Sequence, residues 1–205
     1  MAIDSPPLPN YALEYDEELD AICSLDLLAD QLPKVISIPY HWKWVILSLH
    51  NALQGFMVLS LRGTNNLNVL TKKSAEDWNN GYEKGELSNT PPKLDAFLGL
   101  YDKIKSDSMN LFGDSRSFVP NPTQDKSVQS LNAFRNDFIH YVPALALIDM
   151  RFWARIVVDV VPIIEFLAFE SNNIFFQRED TRERVAGLCK ISKDEASALI
   201  MHYGE

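Results

Sequence analysis

YHWKWVILSLHNALQGFMVLSL, residues 40–61, is the stretch that decides the fold class. It follows Pro39 and carries the strongest helical signal in the chain. On a helical wheel Trp42, Val45, Ile46, Leu49, Leu53 and Phe56 fall together, while Lys43, His50, Asn51, Gln54 and Arg62 fall opposite. The stretch is apolar enough to imitate a membrane span. His50, Asn51 and Gln54 sit inside it, however, so it reads as the buried helix of a bundle. Those three side chains share one turn of the polar sector. Read functionally, they line a substrate groove or a dimer interface. Read plainly, they are a polar helix face with a hydrogen-bonded histidine.

Working outward, the same periodicity returns and alternating apolar–polar runs are few, so the chain reads as an all-α bundle. Residues 1–20 hold Pro6, Pro7 and Pro9 and then an acidic run from Glu14 to Asp20, an extended arm that is either a solvated tail or a cover for a basic groove. Ser24 is the expected N-cap of a short helix, Leu25 to Gln31. This makes 1–39 an acidic, Pro-containing arm. Residues 62–92 are polar and turn-rich, with a short helix expected after Ser74. Thr90-Pro91-Pro92 is the expected opening of a helix running to about Lys105. Residues 106–127, with Gly113, Pro120 and Pro122, read as a long irregular segment, a lid or groove wall offering Arg116 and Lys126 to phosphate. Ala144 to Phe169 reads as one apolar helix divided or kinked at Pro162, with an Arg155–Asp159 ion pair on its face. Ser192-Lys193-Asp194-Glu195 reads as a capping box that opens the second helix of a C-terminal appendage, 173–205. The main helical domain is then 40–172.

The chemistry concentrates in LNAFRNDFIHYVP, residues 131–143. Leu131, Phe134, Phe138 and Tyr141 or Val142 recur at helical spacing, and Arg135, Asn136 and His140 lie off that stripe. Asn136 and His140 are four apart and share a face, whereas Arg135 and His140 lie about 140° apart on an ideal helix at ~100° per residue. Their tips converge only through the length of the arginine, a bent helix or a second copy of the chain. Pro143 should make the helix kink or restart just after His140. Histidine gives and takes protons near neutral pH, and the planar guanidinium suits phosphate oxygens. With an asparagine to orient either, the set suits cleavage of an RNA phosphodiester by its own 2′-hydroxyl, a reaction that requires no metal. The plain alternative is a His and an Arg that satisfy a helix end.

The string Arg135-Asn136-Asp137-Phe138-Ile139-His140 resembles the signature of the HEPN superfamily (higher eukaryotes and prokaryotes nucleotide-binding domain), R-x4–6-H with a polar residue, often Asn, after the Arg. The resemblance spans roughly residues 40–172. It implies an all-α bundle that dimerises so that two motifs face one another. It also implies a metal-independent RNase of host defence, a toxin–antitoxin pair or RNA processing, with no cofactor. In that pattern His140 is the general acid/base, Arg135 the phosphate or transition-state ligand and Asn136 its support; His50, Asn51, Gln54 and Arg116 are the candidate substrate contacts. Some toxin members carry a Tyr two places after the His, where a partner enzyme modifies it. Here Tyr141 follows His140 directly and Val142 holds the second place, which puts that control in doubt.

The net charge of −9 argues against a broad nucleic-acid surface. Residues 1–40 hold eight acids against Lys34, so −7 of that charge belongs to the arm and −2 to the rest. A local groove begun by Arg135 suffices for short single-stranded or structured RNA. Cys23 and Cys189 stand alone, which fits a reducing cytoplasm, and the N-terminus lacks the basic-then-apolar pattern of a signal peptide. Two functions remain open: a homodimeric ribonuclease, or a non-catalytic dimeric module that binds a nucleotide, an antitoxin or another protein partner. A membrane role is disfavoured.

Overall fold

The computed structural model describes residues 12–13, 15–84, 91–140, 143, 145 and 147–204. Among these residues there are seven α-helices and no strand: α1 (Glu17–Gln31), α2 (Trp42–Leu61), α3 (Lys72–Lys84), α4 (Phe97–Ile104), α5 (Pro122–Ile139), α6 (Met150–Glu165) and α7 (Thr181–His202). The all-α bundle expected from sequence is the architecture found.

α2 is the axis of the bundle, packed by α1, α6, α5 and α4. Its apolar stripe is fully buried from Trp42 through Leu61. By length and composition the segment Pro39–Leu61 is able to cross a membrane, yet 72% of its most apolar window is buried inside the fold, so the stripe is spent on the core. α1 crosses α2 closely because Gly55 has no side chain. A Cβ there would stand 2.7 Å from the Cβ of Ala21 and 2.9 Å from its Cα.

The acids from Glu17 to Asp20 lie in a helix rather than in an extended stretch. Asp16, not Ser24, caps α1 by accepting from the Leu19 N–H, and Glu17, Glu18 and Asp20 fill the first turn, where the helix dipole favours negative charge. Glu18 is buried, accepts from the Gln177 N–H at 3.0 Å and lies 3.5 Å from Arg178, which also pairs with Asp16 at 2.7 Å. The proline-bearing start of the expected arm lies outside the described residues, as does Thr90, the expected cap of α4.

Other boundaries also differ from expectation: α3 begins at Lys72, ahead of Ser74, and α6 at Met150. α4 begins at Phe97, because residues 93–95 are pinned in extended form: Thr71 N–H donates to Lys93 O, Asp95 N–H to Val69 O, and Leu70 bridges Leu94. α5 begins at Pro122, inside the supposed irregular segment. Asn121 and Gln124 make a full capping box around that proline. α7 is one 22-residue helix that runs through Ser192, which is buried. The capping-box letters are overruled because Val185, Cys189, Ala196 and Leu199 keep one unbroken apolar face. α7 packs on α6 and α1, so residues 17–39 and 181–202 share the core of the central helices.

α6 continues through Pro162 to Glu165 and then widens into a π-turn, Phe166–Glu170. Asp159 on α6 does not pair with Arg155. It accepts from Thr123 Oγ1 at 3.0 Å and Ser127 Oγ at 2.6 Å, docking the start of α5. The far half of α5 is docked by aromatics: Trp153 lies 5.7 Å from Phe134, 5.8 Å from Phe138 and 5.7 Å from Trp42. α5 is thus fixed at both ends, and the face carrying Arg135 is held in place.

Candidate functional site

A cavity of about 440 Å³ opens where the middle of α2, the entry to α4 and the second half of α5 meet. His50 and Gln54 come from α2, Phe97 from α4, and Asn132, Arg135 and Asn136 from α5. Their convergence follows from helical arithmetic. Positions 132, 135 and 136 are i, i+3 and i+4 of one face, and 50 and 54 are i and i+4 of another. The stacked faces meet because the opposite sides of both helices are apolar and buried.

His50 is almost wholly buried, its ring stacked on Phe97 with centroids 3.9 Å apart and planes 19° from parallel. Its Nε2 lies 3.4 Å from Asn132 Oδ1, and its Nδ1 is buried without a hydrogen-bond partner. Burial pushes the imidazole down from 6.5 to about 4; the Asn132 contact and, more weakly, the neighbouring Asn51 side chain oppose that fall, and the nearby Arg135 charge adds to it. His50 is therefore neutral at physiological pH.

Arg135 is half-buried, and its Nη1 donates to Asn136 Oδ1 at 3.0 Å. Among the described residues it makes no ion pair with a carboxylate. The acid in the lining, Asp95, is already engaged: Lys103 Nζ lies 2.7 Å from it, and it accepts from the Ala96 N–H at 2.9 Å. Gly99 makes room for that arrangement, since a Cβ there would fall 2.7 Å from Asp95 Oδ1. The cavity thus presents a permanent cation and amide donors with its carboxylate neutralised.

His140 is not in this lining. It is the exposed C-cap of α5, with φ −109° and ψ 45°, and its N–H donates to Asn136 O at 2.8 Å. The helix ends at Ile139, so the face shared by Asn136 and His140 on an ideal helix turns away at the cap. The break falls before Pro143, as that residue predicted. Tyr141 and Val142 lie outside the described residues. The chain neighbour of His140, Ile139, is 51% exposed, and further along the chain Leu145 and Leu147 are exposed at 92% and 93%.

Asn51 is exposed and lines a smaller neighbouring cavity of about 160 Å³, which shares Gln54 and Leu94 with the first and is also lined by Glu17, Asp20, Gly55 and Val58. Arg116 lines neither. Its N–H donates to Ser171 O at 3.0 Å, placing it toward the other end of the bundle. Sequence reasoning missed Asn132, although its place one turn before Arg135 and Asn136 marks it. It also missed Asp95 and Phe97, whose role comes from a chain path that no local pattern announces. Among the described residues no three His, Cys, Asp or Glu side chains gather as a metal-ligand set.

No protein-family model matches this chain, and comparisons with curated proteins and with solved structures also return no match.

Proposed function

We propose that this protein is a HEPN-type, metal-independent endoribonuclease that works as a cytoplasmic homodimer. The observation that carries the reading is the cavity in which Arg135 and Asn136 meet the α2 pair His50 and Gln54 beside a neutralised Asp95. In the proposed reaction the RNA 2′-oxygen bonds to the adjacent phosphorus as the bond to the 5′-oxygen breaks. One histidine takes the 2′-hydroxyl proton and a second acid returns a proton to the leaving 5′-oxygen. Arg135 holds the charge gathering on the phosphorane. The products are a 2′,3′-cyclic phosphate and a 5′-hydroxyl.

His140 sits outside the lining of its own chain's cavity. A second copy supplies the missing geometry by bringing its cap to the rim. The exposed Ile139 next to His140, and the exposed Leu145 and Leu147 that follow it in sequence, support an interface in this region. The defence or toxin role, with an antitoxin to restrain it, follows from the same resemblance.

The second reading is a non-catalytic dimeric module that binds a nucleotide or a protein partner. The distance of His140 from the cavity and the net charge of −9 favour it. One experiment separates the two. Single-stranded RNA is incubated in EDTA with the parent protein, His140→Ala and Arg135→Ala, and the fragment ends are analysed. The ribonuclease reading expects cyclic-phosphate ends from the parent and ~10²–10⁴-fold slower cutting by His140→Ala. Equal cutting by that variant rules out the mechanism. Cutting by none turns the weight to the module.

A further inference from the structure

We infer that Asn132, aimed by His50, is a phosphate-binding residue of the α2–α4–α5 cavity, and that its ligand is the phosphate of a nucleotide in single-stranded RNA. The ligand class rests on the ribonuclease reading; the contact itself rests on the geometry.

His50 has no freedom to swing. It sits in the middle of α2, is almost wholly buried and is stacked flat on Phe97 at 3.9 Å. A neutral imidazole facing an amide oxygen carries its hydrogen on the facing nitrogen, so Nε2–H donates to Asn132 Oδ1 across 3.4 Å. That uses the acceptor of Asn132 on the protein side and leaves the two Nδ2 hydrogens for the cavity. The same logic repeats one turn on. Arg135 Nη1 donates to Asn136 Oδ1, which takes up the acceptor of the second amide. Both asparagine oxygens are engaged within the protein, which leaves the amide hydrogens and the remaining guanidinium N–H groups of these lining residues for a ligand. A donor array beside a permanent cation is made for an anion with several oxygens. The cavity holds more than one phosphate, and Leu94 and Leu98 at its rim offer apolar surface to the attached nucleoside.

Stability gives no reason for this histidine. Its Nδ1 is buried without a partner, which costs free energy, and a phenylalanine would keep the stack on Phe97 without that cost. The neutral state is what makes the ring a donor to Asn132 without setting a second charge beside Arg135.

The test uses the full chain and two probes: an RNA dinucleotide whose 2′-hydroxyl is methylated, so that it cannot be cut, and inorganic phosphate as its competitor. The parent should bind the dinucleotide, and phosphate should displace it. Asn132→Asp, at a half-exposed position that tolerates the change, should weaken binding about 10- to 100-fold. His50→Phe should weaken it about tenfold while melting no lower than the parent. His50→Gln, whose amide N–H replaces Nε2–H, should stay within about threefold of the parent. A His50→Phe or an Asn132→Asp protein that binds as the parent does overturns the inference. So does a parent that binds no dinucleotide, or a bound dinucleotide that phosphate fails to displace. Cutting is not read here, so these failures leave the ribonuclease reading standing, and RNA bound but never cut fails that reading alone.

Discussion

Two histidines divide this molecule. His50 lies in the middle of α2, enclosed, stacked and held neutral. His140 lies at the open end of α5, exposed, with its ring free of the core. The side chain is the same and the surroundings are opposite. A proton carrier has to exchange with solvent and substrate near neutral pH, which an imidazole pushed to about 4 does not do. A positioning group has to stay in one place, which nothing holds a ring on an exposed cap to do. On the proposed reading His50 aims Asn132 and His140 moves a proton.

The comparison breaks most sharply in turnover. His140→Ala should slow RNA cutting by ~10²–10⁴-fold yet move stability by no more than about 0.5 kcal/mol, since an exposed cap carries little packing. His50→Phe should do the reverse: the fold holds or gains, and activity falls through weaker binding, seen as a raised KM with kcat little changed. If the two variants lose kcat alike with KM unmoved, the division of duties is wrong.

The next effect tests the enclosure of α2. Gly55→Val places a branched side chain against Ala21, where even a Cβ stands 2.7 Å from its neighbour, so α1 must move off α2. The expected loss is about 3 kcal/mol in urea unfolding. Because Gly55 and Gln54 are adjacent, the variant should also weaken dinucleotide binding. A loss below about 0.5 kcal/mol would mean that α1 is loosely seated.

Much of this was legible in the sequence, for reasons that differ by element. The apolar stripe of α2 was plain because a helix with one long buried face repeats its signal over about five and a half turns. The faces of 50/54 and 135/136 were plain because helical spacing fixes them. Asp16 was not, because an acidic run reads as a solvated tail until the residues after it are seen to be buried; the acids stand at the favourable end of α1. Ser192 misled in the opposite sense, a correct local signature inside a helix whose packing overrides it. Phe97 and Asp95 reach the cavity through the pairing of residues 93–95 with 69–71, a contact between segments too short and irregular to show a period. The separation of His140 from Arg135 was foreseen as an angle, but the turn of the cap that widens it belongs to the end of α5.

Acid sharpens the same comparison. In the unfolded chain His50 titrates at its ordinary 6.5, and in the folded protein at about 4. As pH falls through 6.5 the unfolded state takes up its proton first, so His50 subtracts stability from there down, until the folded ring also protonates near 4. Between pH 7 and pH 4.5 the parent should lose about 2 kcal/mol that His50→Phe does not lose, measured as the difference between their urea midpoints. Equal acid sensitivity in the two proteins would mean that the buried ring accepts a proton freely, which removes the reason for calling it neutral.

The smallest effect is expected at Arg116, which the sequence offers as a phosphate contact and the fold sets elsewhere. Its backbone is tied to Ser171, and Ser115 beside it donates to Asn173 Oδ1 at 2.6 Å. Asn173 in turn donates to Ser60 O, ten residues further along α2 than His50 and so about 15 Å away at ~1.5 Å per residue. A guanidinium there cannot share a scissile phosphate with Arg135. Arg116→Ala should therefore leave the cutting of short RNA within about twofold of the parent, because only a lost direct contact to a charged group costs tenfold or more. Short and long substrates make the measurement decisive. A loss on long RNA alone places Arg116 on the path of the strand beyond the cavity, whereas a loss on a dinucleotide would require a catalytic centre at the other end of the bundle and would undo the assignment of the cavity.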